Sequence, residues 1–404
     1  MSPRRSVTAA VEVLVIVCVG AILAAGCGTK DKPAAQTAGS ASATDAPAAS
    51  DARAGSGAPA ESGTPMTFAG GAEPVGALIV THGGAGSPPE WSPDVQAAAD
   101  TAFAALRGGV SALDAAVSGT QVMENIHRFN AGTGANIRLD GKSIQMDAAV
   151  MTSEGRFGAV AVIERVLHPV AVARALLGTP HLMLAGDGAT RFAHAAGFKD
   201  QVPWCEEAQA KFEKRSATLL AGKAGQGYDT FDWRRFWNYP NPIPPELGGP
   251  GAAKGGGSGA TGRAPDDLAL RVSDTVGTVC RDADGRFAAT LSTGGTTYML
   301  YGRVGDTPIM GAGLYAGPAG AVACTGLGEM IIHEGEARLV YQLMESGVTA
   351  REAVRRGCMS FPPDADLGVI AVGRDGWGVA ANRSMAYGHT WAGRPPAPPS
   401  APAH

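Results

Sequence analysis

The stretch "SDTVGTVCRDADGRFAATLSTGGTTYMLYGRVGD", from Ser273 to Asp306, decides how the whole chain is interpreted. Two runs rich in β-branched and apolar residues flank the turn signal DADG, and this pattern predicts a strand, a turn and a second strand. The second strand ends in LSTGG, and an arginine and an aspartate follow in GRVGD. Hydroxyl groups, glycines and an Arg/Asp pair crowded around two predicted strands indicate a catalytic site.

Blocks of predicted strands and helices surround this stretch. GALIVT, SIQMDAAVM and RFGAVAVI predict strands, and LGVIAVGRDGWGVAAN predicts a hairpin that turns at Asp375-Gly376. The sequence also predicts helices at five places: from an N-cap at Ser92 to a stop at Gly108, after a Ser111/Asp114 capping box, after His168-Pro169, over residues 328–347, and after Thr349. Such blocks favour an α+β fold with antiparallel sheets flanked by helices.

The first 26 residues have the pattern of a bacterial lipoprotein signal. MSPRR is basic, VLVIVCVGAILAA is apolar, and LAAGC places small residues before Cys27, although Glu12 is unusual at the edge of the apolar run. A transmembrane helix is the alternative, but the run is short for the roughly 20 residues that spanning needs. We expect an exported chain with an acylated Cys27, anchored to the cell envelope, in the periplasm or at the outer membrane if the cell is Gram-negative.

Residues 27–73 predict a flexible, disordered tether, because they are rich in Ala, Gly, Ser, Pro and Thr and show no hydrophobic periodicity. About 320 residues remain after it, which is enough for one large domain with a full core. The net charge of −4 provides no basic surface for nucleic acid, so no nucleic-acid partner is expected.

The cysteines and histidines indicate little chemistry by themselves. Four cysteines follow Cys27 without a spacing typical of zinc, so no metal site is predicted from them: Cys205, Cys280, Cys324 and Cys358. One or two disulfides are open to an exported chain, but apolar surroundings at Cys280 and Cys324 favour a place in the core. Three histidines lack a diagnostic partner and are interpreted as structural: His82, His168 and His333.

Six motifs occur in one order along the chain: THGGAG, FNAGTGA, LHPVAVAR, DTVGTVCRDADGRFAATLSTGG, GRVGDTPIMGAGLYA and CTGLGE. Together they resemble the isoaspartyl peptidase/L-asparaginase family, the plant-type asparaginases, which are N-terminal nucleophile hydrolases related to aspartylglucosaminidase and threonine aspartase. The matches cover nearly everything from Gly76 to about Asn382. The resemblance implies an αββα sandwich and an inactive precursor that cuts itself immediately before a threonine.

The matching bond is Asp274-Thr275, which would divide an α subunit, residues 74–274, from a β subunit, residues 275–404, with a Pro-rich tail from about 394. A chain-terminal threonine suits this role because it carries both a hydroxyl nucleophile and an α-amine that serves as its base. The pKa of an α-amine, roughly 7.7 to 8.0, is close to operating pH. Without the resemblance, Thr275 would be interpreted as an ordinary strand residue.

The resemblance assigns roles to five further residues. Thr293 resembles the hydroxyl that hydrogen-bonds the nucleophile, with an ordinary cross-strand contact as the alternative. Arg303 and Asp306 resemble the pair that binds the substrate's α-carboxylate and α-amino group, with a mutual surface salt bridge as the alternative. Thr325 and Gly326 resemble the oxyanion hole, with Gly326 also contacting substrate, and a simple helix cap is the alternative.

Two further features are implied by the resemblance. Asn130 in FNAG matches a residue that lies beside the nucleophile and helps to order it. The loop from Met123 to Thr133 resembles one that binds a structural sodium ion through backbone carbonyls, and a plain turn is the alternative. No other cofactor is expected.

The chain also departs from its relatives. Tyr298, Met299 and Tyr301 stand where relatives commonly carry N-K-L-P, ANRSMAYG matches the late FNTEGM region loosely, and a long insertion, residues 222–267, is predicted to be mobile in its glycine-rich half. Four aromatic residues of the insertion should pack on something: Trp233, Phe236, Trp237 and Tyr239. These departures leave the leaving group open.

The expected function is that of a self-cleaving amidohydrolase, assembled as a homodimer of αβ units, that releases aspartate from asparagine or isoaspartyl peptides. A glycosylasparaginase is one alternative. A catalytically inactive surface lipoprotein that retains the fold is another.

Overall fold

Two β-sheets lie face to face in the structure, a computed structural model that describes residues 66–73, 75–225, 227–250 and 275–393. The first sheet has seven strands in the order β12-β2-β6-β7-β3-β4-β5, and the second has five in the order β1-β11-β10-β9-β8. Neighbouring strands pair antiparallel except for β4 and β5, which are parallel. The strands are β1 (Thr67–Ala72), β2 (Leu78–His82), β3 (Met146–Thr152), β4 (Phe157–Ile163), β5 (Met183–Ala185), β6 (Val276–Arg281), β7 (Phe287–Thr293), β8 (Leu314–Gly317), β9 (Gly320–Gly326), β10 (Leu367–Gly373), β11 (Gly376–Ala381) and β12 (Tyr387–Trp391).

Helices cover the outer face of each sheet. Those described are α1 (Ser92–Arg107), α2 (Ala112–Glu124), α3 (Pro169–Leu176), α4 (Gly186–Ala195), α5 (Glu206–Leu220), α6 (Gly328–Glu334), α7 (Glu336–Glu345) and α8 (Ala350–Ser360). In the described part of the chain, none of these helices has the length and apolar character needed to cross a membrane.

Three buried apolar clusters define the layers. Between the sheets, Leu291 of β7 and Ile370 of β10 belong to one cluster. On the outer face of the seven-stranded sheet, Val150 packs with residues of α1 to α5, and on the outer face of the five-stranded sheet, Val369 packs with residues of α7 and α8. Alternation along each strand sends successive side chains to opposite faces, which is why both faces are apolar. The chain is therefore an α+β protein with the layer order helix, sheet, sheet, helix.

The prediction of a tether up to residue 73 was wrong for its last part. Residues Thr67–Ala72 form β1, an edge strand that pairs with β11, with Thr67 opposite Ala381. The segment TFAGGA contains two glycines and little alternation, so its strand character comes from the partner rather than from local propensity. The export signal, Cys27 and the rest of the tether, as well as Asp274 and the tail from 394, lie outside the described residues.

Helix boundaries differ from expectation at two points. The helix predicted over residues 328–347 is two helices, because Gly335 adopts a left-handed conformation (φ 62°) that ends α6. The N-cap of α1 is Trp91, and Ser92 is its first helical residue. The predicted N-caps of α2 and α8 are confirmed. The Asp114 N–H donates to Ser111 Oγ at 3.1 Å, and Thr349 Oγ1 caps α8.

The described part of the insertion carries an aromatic cluster. Trp233 and Tyr239 are buried, whereas Phe236 is about half exposed (50%). Tyr298 and Tyr301, two of the residues that depart from the family pattern, pack into the same cluster. The aromatic residues of the insertion therefore pack against two of the residues, Tyr298 and Tyr301, at which the chain differs from its relatives. The four described cysteines are buried free thiols, which confirms the place in the core that was favoured for Cys280 and Cys324.

Candidate active site

Thr275 and Thr293 meet at the end of two paired strands. Thr275 directly precedes β6, Thr293 ends β7, and Thr275 Oγ1 donates a hydrogen bond to Thr293 Oγ1 at 3.1 Å. Thr293 Oγ1 also accepts the N–H of Gly295 at 3.0 Å. Both threonines are about 4% exposed. The hydrogen bond fixes the direction of the Thr275 hydroxyl, and the antiparallel β6-β7 hairpin brings the two residues together.

Asn130 stabilises the turn that follows Thr293. Its side-chain Nδ2 donates to the carbonyl oxygen of Gly295, and its backbone carbonyl oxygen accepts the Gly294 N–H at 2.7 Å. A Cβ atom built on Gly294 would lie 2.4 Å from Asn130 Oδ1, so this close approach requires glycine. Asn136 adds a second donor to the Gly295 carbonyl at 3.0 Å. Asn130 thus orders the turn around Thr293, one residue removed from the threonine itself.

Asp147 connects the threonine pair to the predicted substrate-binding loop. It lies on β3 directly opposite Thr293 of β7. Its Oδ2 accepts the Gly305 N–H at 3.1 Å, and its Oδ1 accepts the Val162 N–H at 2.7 Å. Val162 has a positive φ of 45°, which is strained for a β-branched residue. Burial raises the pKa of Asp147, while these two N–H donors and the buried Arg138 oppose the rise.

Arg303 and Asp306 flank Gly305 and converge on the start of α6. A Cβ atom on Gly328 would lie 2.8 Å from Asp306 Oδ1 and 2.9 Å from Arg303 Nη2. Arg303 donates from Nε and Nη2 to a single oxygen, Glu329 Oε1, at 3.0 and 2.8 Å. The charge partner of Arg303 is therefore Glu329, and the salt bridge with Asp306 that was the alternative is not formed.

Asp306 is the more unusual member of this pair. Its side chain is buried, and its Oδ2 has no hydrogen-bond partner among the residues that the structure describes. Burial raises its pKa from 3.8 to about 7, and the nearby Arg303 guanidinium opposes that rise. A buried carboxylate oxygen without a donor is suited to an incoming ammonium group, because it gains most from a cation.

Thr325 and Gly326 end β9, next to the loop that follows β2. The Ala85 N–H donates to Thr325 Oγ1 at 3.2 Å, which ties the THGGAG loop to this strand end. Gly326 has a φ of 143°, and a Cβ there would lie 2.0 Å from the Asp366 carbonyl oxygen. Only glycine fits at this point. The oxyanion role of the two residues stays a prediction.

The sequence model of a family described as asparaginase matches residues 75–393, which is most of the chain. The chain belongs to the asparaginase family. It is similar to the plant-type L-asparaginase of Pyrococcus furiosus, with 34% identity over 323 residues that span 76% of this chain and 94% of the relative. The isoaspartyl peptidase/L-asparaginase of Danio rerio is 35% identical over 321 residues (76% and 89%), and the isoaspartyl peptidase of Escherichia coli is 34% identical over 316 residues (74% and 88%).

Sequence reasoning missed Asp147 and Glu329 in this asparaginase-family chain. A signal for Asp147 was present, since SIQMDAAVM places one carboxylate inside an apolar strand, and a buried charge needs partners. Glu329 gave no such signal. It lies 26 positions after Arg303, and only residues three or four positions apart on a helix can be expected from sequence spacing to form such a pair.

The histidines of the asparaginase-family chain differ in their surroundings. His168 Nδ1 lies 3.1 Å from Oε2 of the buried Glu124, a structural contact. His82 is fully buried opposite Gly277, and a Cβ on that glycine would lie 2.5 Å from His82 Nε2. Neither ring nitrogen makes a hydrogen bond of good geometry within the described residues. Burial lowers the pKa of His82 to about 3, and a polar contact with the Thr275 backbone opposes this shift. The ring is therefore neutral and lies beside Thr275.

Proposed function

We propose that this protein is a self-activating threonine amidohydrolase that releases aspartate from L-asparagine and β-aspartyl peptides. The observation that carries the proposal is the 3.1 Å hydrogen bond from Thr275 Oγ1 to Thr293 Oγ1 at the start of β6. Relatives that match three quarters of the chain bear the names L-asparaginase and isoaspartyl peptidase, which supports the same substrate class. The complete set of residues argues against an inactive protein that only retains the fold.

Hydrolysis follows from the position of Thr275 at a new chain start. Once the bond before it is cut, its α-amine takes the hydroxyl proton while Oγ1 attacks the side-chain carbonyl of the substrate. The Thr325 hydroxyl and the Gly326 N–H stabilise the oxyanion, as donors preorganised at a strand end. The tetrahedral species expels ammonia or the amine of a peptide, which leaves with the proton held by the α-ammonium. Water then cleaves the aspartyl ester and restores the threonine.

Substrate binding uses the charges around Gly305. The α-carboxylate replaces Glu329 on the Arg303 fork, because a guanidinium binds a carboxylate through two parallel hydrogen bonds. The α-ammonium binds Oδ2 of Asp306, which has no hydrogen-bond partner among the residues described. This pairing requires an ionised Asp306, and the substrate cation lowers its pKa by opposite charge.

The implied sodium ion fits the loop from Met123 to Thr133. A Cβ on Gly134 would lie 2.1 Å from the Phe129 carbonyl oxygen and 2.3 Å from that of His127, and one on Gly132 would lie 2.3 Å from that of Glu124. Glycine at both positions leaves room beside these oxygens, and carbonyl oxygens are ligands that a hard cation prefers. The ion would supply fixed charge that holds this loop, and hence Asn130, in place.

Two proposals concern the chain outside the described residues and its assembly. The lipoprotein pattern at LAAGC supports export and a lipid anchor on Cys27. A Cys27→Ser protein is expected to incorporate no labelled fatty acid and to leave the membrane fraction. The family resemblance supports an (αβ)2 homodimer, which light scattering on a sizing column measures directly.

A denaturing gel tests the proposed function. Active wild type should run as two fragments, and N-terminal sequencing of the smaller one should begin Thr-Val-Gly-Thr, from Thr275. Thr275→Ala should remain one chain and should not hydrolyse asparagine. A wild type that hydrolyses asparagine as one uncut chain would disprove the mechanism.

A further inference from the structure

A histidine, a cysteine and a glutamate come together where the loop that follows α2 meets the start of α5. One ligand atom each of His127, Cys205 and Glu207 lies within 4.8 Å of both others. His127 belongs to the loop between α2 and Asn130, and the other two open α5, so the group joins two segments remote in sequence. Nothing in the proposed reaction uses these three side chains.

The geometry of the cluster matches one metal ion. His127 Nδ1 lies 3.3 Å from Glu207 Oε2. Two ligands of a tetrahedral zinc ion with bonds of roughly 2.0–2.2 Å stand about 3.3 Å apart, so these atoms already have the required separation. The Cys205 sulfur is buried and lies within 4.8 Å of both other ligand atoms, whereas the side chains of His127 and Glu207 are 52% and 55% accessible and have room to adjust.

Cys205 and Glu207 present their ligand atoms at the start of α5. Cys205 Sγ accepts the Ala208 N–H at 3.4 Å as the N-cap of α5, and burial raises the pKa of the Cys205 thiol, so a bound metal ion has to displace its proton. The Glu207 side chain contacts both Cys205 and His127, so the three side chains already form one group. Lys211, four residues after Glu207 on α5, donates from Nζ to the Arg128 carbonyl oxygen at 3.0 Å.

We propose that His127, Cys205 and Glu207 form a zinc-binding site with an open fourth position for water. Zinc binds Cys205 as thiolate, which releases one proton to solvent, neutral His127 through Nδ1, and ionised Glu207 through one oxygen. The absence of zinc-type spacing in the sequence hid the site, because the histidine lies 78 positions before the cysteine and only the fold joins them.

The site has a structural consequence for the active centre. Helix α5 reaches the catalytic turn through Arg215, whose Nη1 donates to Asn136 Oδ1 at 2.6 Å, and Asn136 in turn holds the Gly295 carbonyl. Zinc between His127 and the start of α5 fixes this helix to the loop that precedes Asn130. Zinc binding is therefore expected to restrict the motion of α5 and, through Arg215 and Asn136, of the turn that follows Thr293.

Cobalt substitution tests the site without reference to catalysis. Full-length protein stripped by a chelator is titrated with Co²⁺, and a thiolate-to-cobalt charge-transfer band that saturates at one equivalent and is displaced by Zn²⁺ is expected. Cys205→Ser should lose that band. Glu207→Gln should weaken zinc at least tenfold, whereas the matched control Glu206→Gln, an exposed neighbour with the same charge change, should bind like wild type.

A second measurement covers any variant that folds poorly. Zinc should raise the Tm of wild type and Glu206→Gln more than that of Glu207→Gln at the same zinc concentration, since stabilisation by a ligand falls as its affinity falls. Both glutamates are exposed, so neither substitution disturbs the core. Absence of a thiolate band in wild type, or equal zinc affinity of the two glutamate variants, would overturn the proposal.

Discussion

The buried carboxylate of Asp147 accepts the Gly305 N–H at 3.1 Å, so the strand opposite Thr293 holds the loop that carries Arg303 and Asp306. The strand that pairs with Thr293 therefore also holds, through one side chain, the loop with the charges expected to bind the substrate. A shift of either group would change the distance between the reacting atoms, to which catalysis is sensitive.

Asp147→Asn should therefore impair substrate positioning. The NH₂ group of the new amide would face either the Gly305 N–H or the Val162 N–H, and two donors cannot bond each other. One buried hydrogen bond to a charged group, about 1.5 to 3 kcal/mol, is therefore lost. We expect kcat/KM for asparagine to fall roughly tenfold to a hundredfold. Steady-state kinetics measure this, with the exposed turn residue Asp284→Asn as the control. Unchanged kinetics in Asp147→Asn would show that the loop holds its place without this carboxylate.

Arg303→Lys should keep the charge and lose the fork. Hydrogen bonds to a charged group contribute about 1.5 to 3 kcal/mol each, so kcat/KM should fall roughly tenfold to a hundredfold or more. Self-cleavage should survive, because the precursor presents no free α-carboxylate. Asparagine amide, whose α-carboxylate is blocked, should be poor for wild type and scarcely worse for the variant. Equal wild-type activity on asparagine and its amide would remove Arg303 from the site.

Glu329→Gln should improve substrate binding. Glu329 holds the Arg303 fork in the free protein, and the substrate carboxylate must displace it. A neutral amide competes less for the guanidinium, so KM for asparagine should fall several-fold while kcat changes little. Glu334→Gln, another exposed glutamate of α6, is the matched control. A higher KM in Glu329→Gln would mean that Glu329 assists binding instead.

Asp306 should make the free protein less stable as pH rises. Its folded pKa is raised from 3.8 to about 7, so between these values the folded state binds more protons than the unfolded state. Stability from this group is present below 3.8 and is lost as pH rises to about 7. Asp306→Asn has no carboxyl to titrate. The Tm of the variant minus the Tm of wild type should therefore increase as pH rises from about 3.8 to about 7. Thermal melts from pH 4 to 8 measure it, and a constant Tm difference would contradict the shift.

His82 should act in the opposite direction. Its folded pKa is lowered from 6.5 to about 3, so the unfolded state binds more protons in this range and stability falls as pH falls through it. His82→Phe keeps an aromatic ring and removes the titrating nitrogens, whose contact with the Thr275 backbone offsets only part of the effect of burial. Its acid unfolding should begin at lower pH than that of wild type. The exposed His181→Phe should melt like wild type at every pH.

Local pattern predicted much of the fold and only part of the site. The β6-β7 hairpin and the caps at Ser111 and Thr349 depend on neighbours in sequence, so turn and capping chemistry were sufficient. The strand character of Thr67–Ala72 and the Arg303–Glu329 pair arise from partners remote along the chain. Periodicity does not report such partners, and the resemblance supplied residue roles without supplying the contacts that hold them.

The strand order has a consequence for the matured molecule. β2 lies between β12 and β6, and β3 pairs with β7, so segments from before and after Thr275 alternate within one sheet. A break before Thr275 would yield two interlocked peptides that share backbone ladders and do not separate by dilution. Once melted, however, they must find each other by diffusion, so refolding becomes concentration-dependent where the uncut precursor refolds as a single chain. The cleaved protein would therefore not refold readily after it unfolds. Its lifetime would be set by the height of the unfolding barrier rather than by the folding equilibrium.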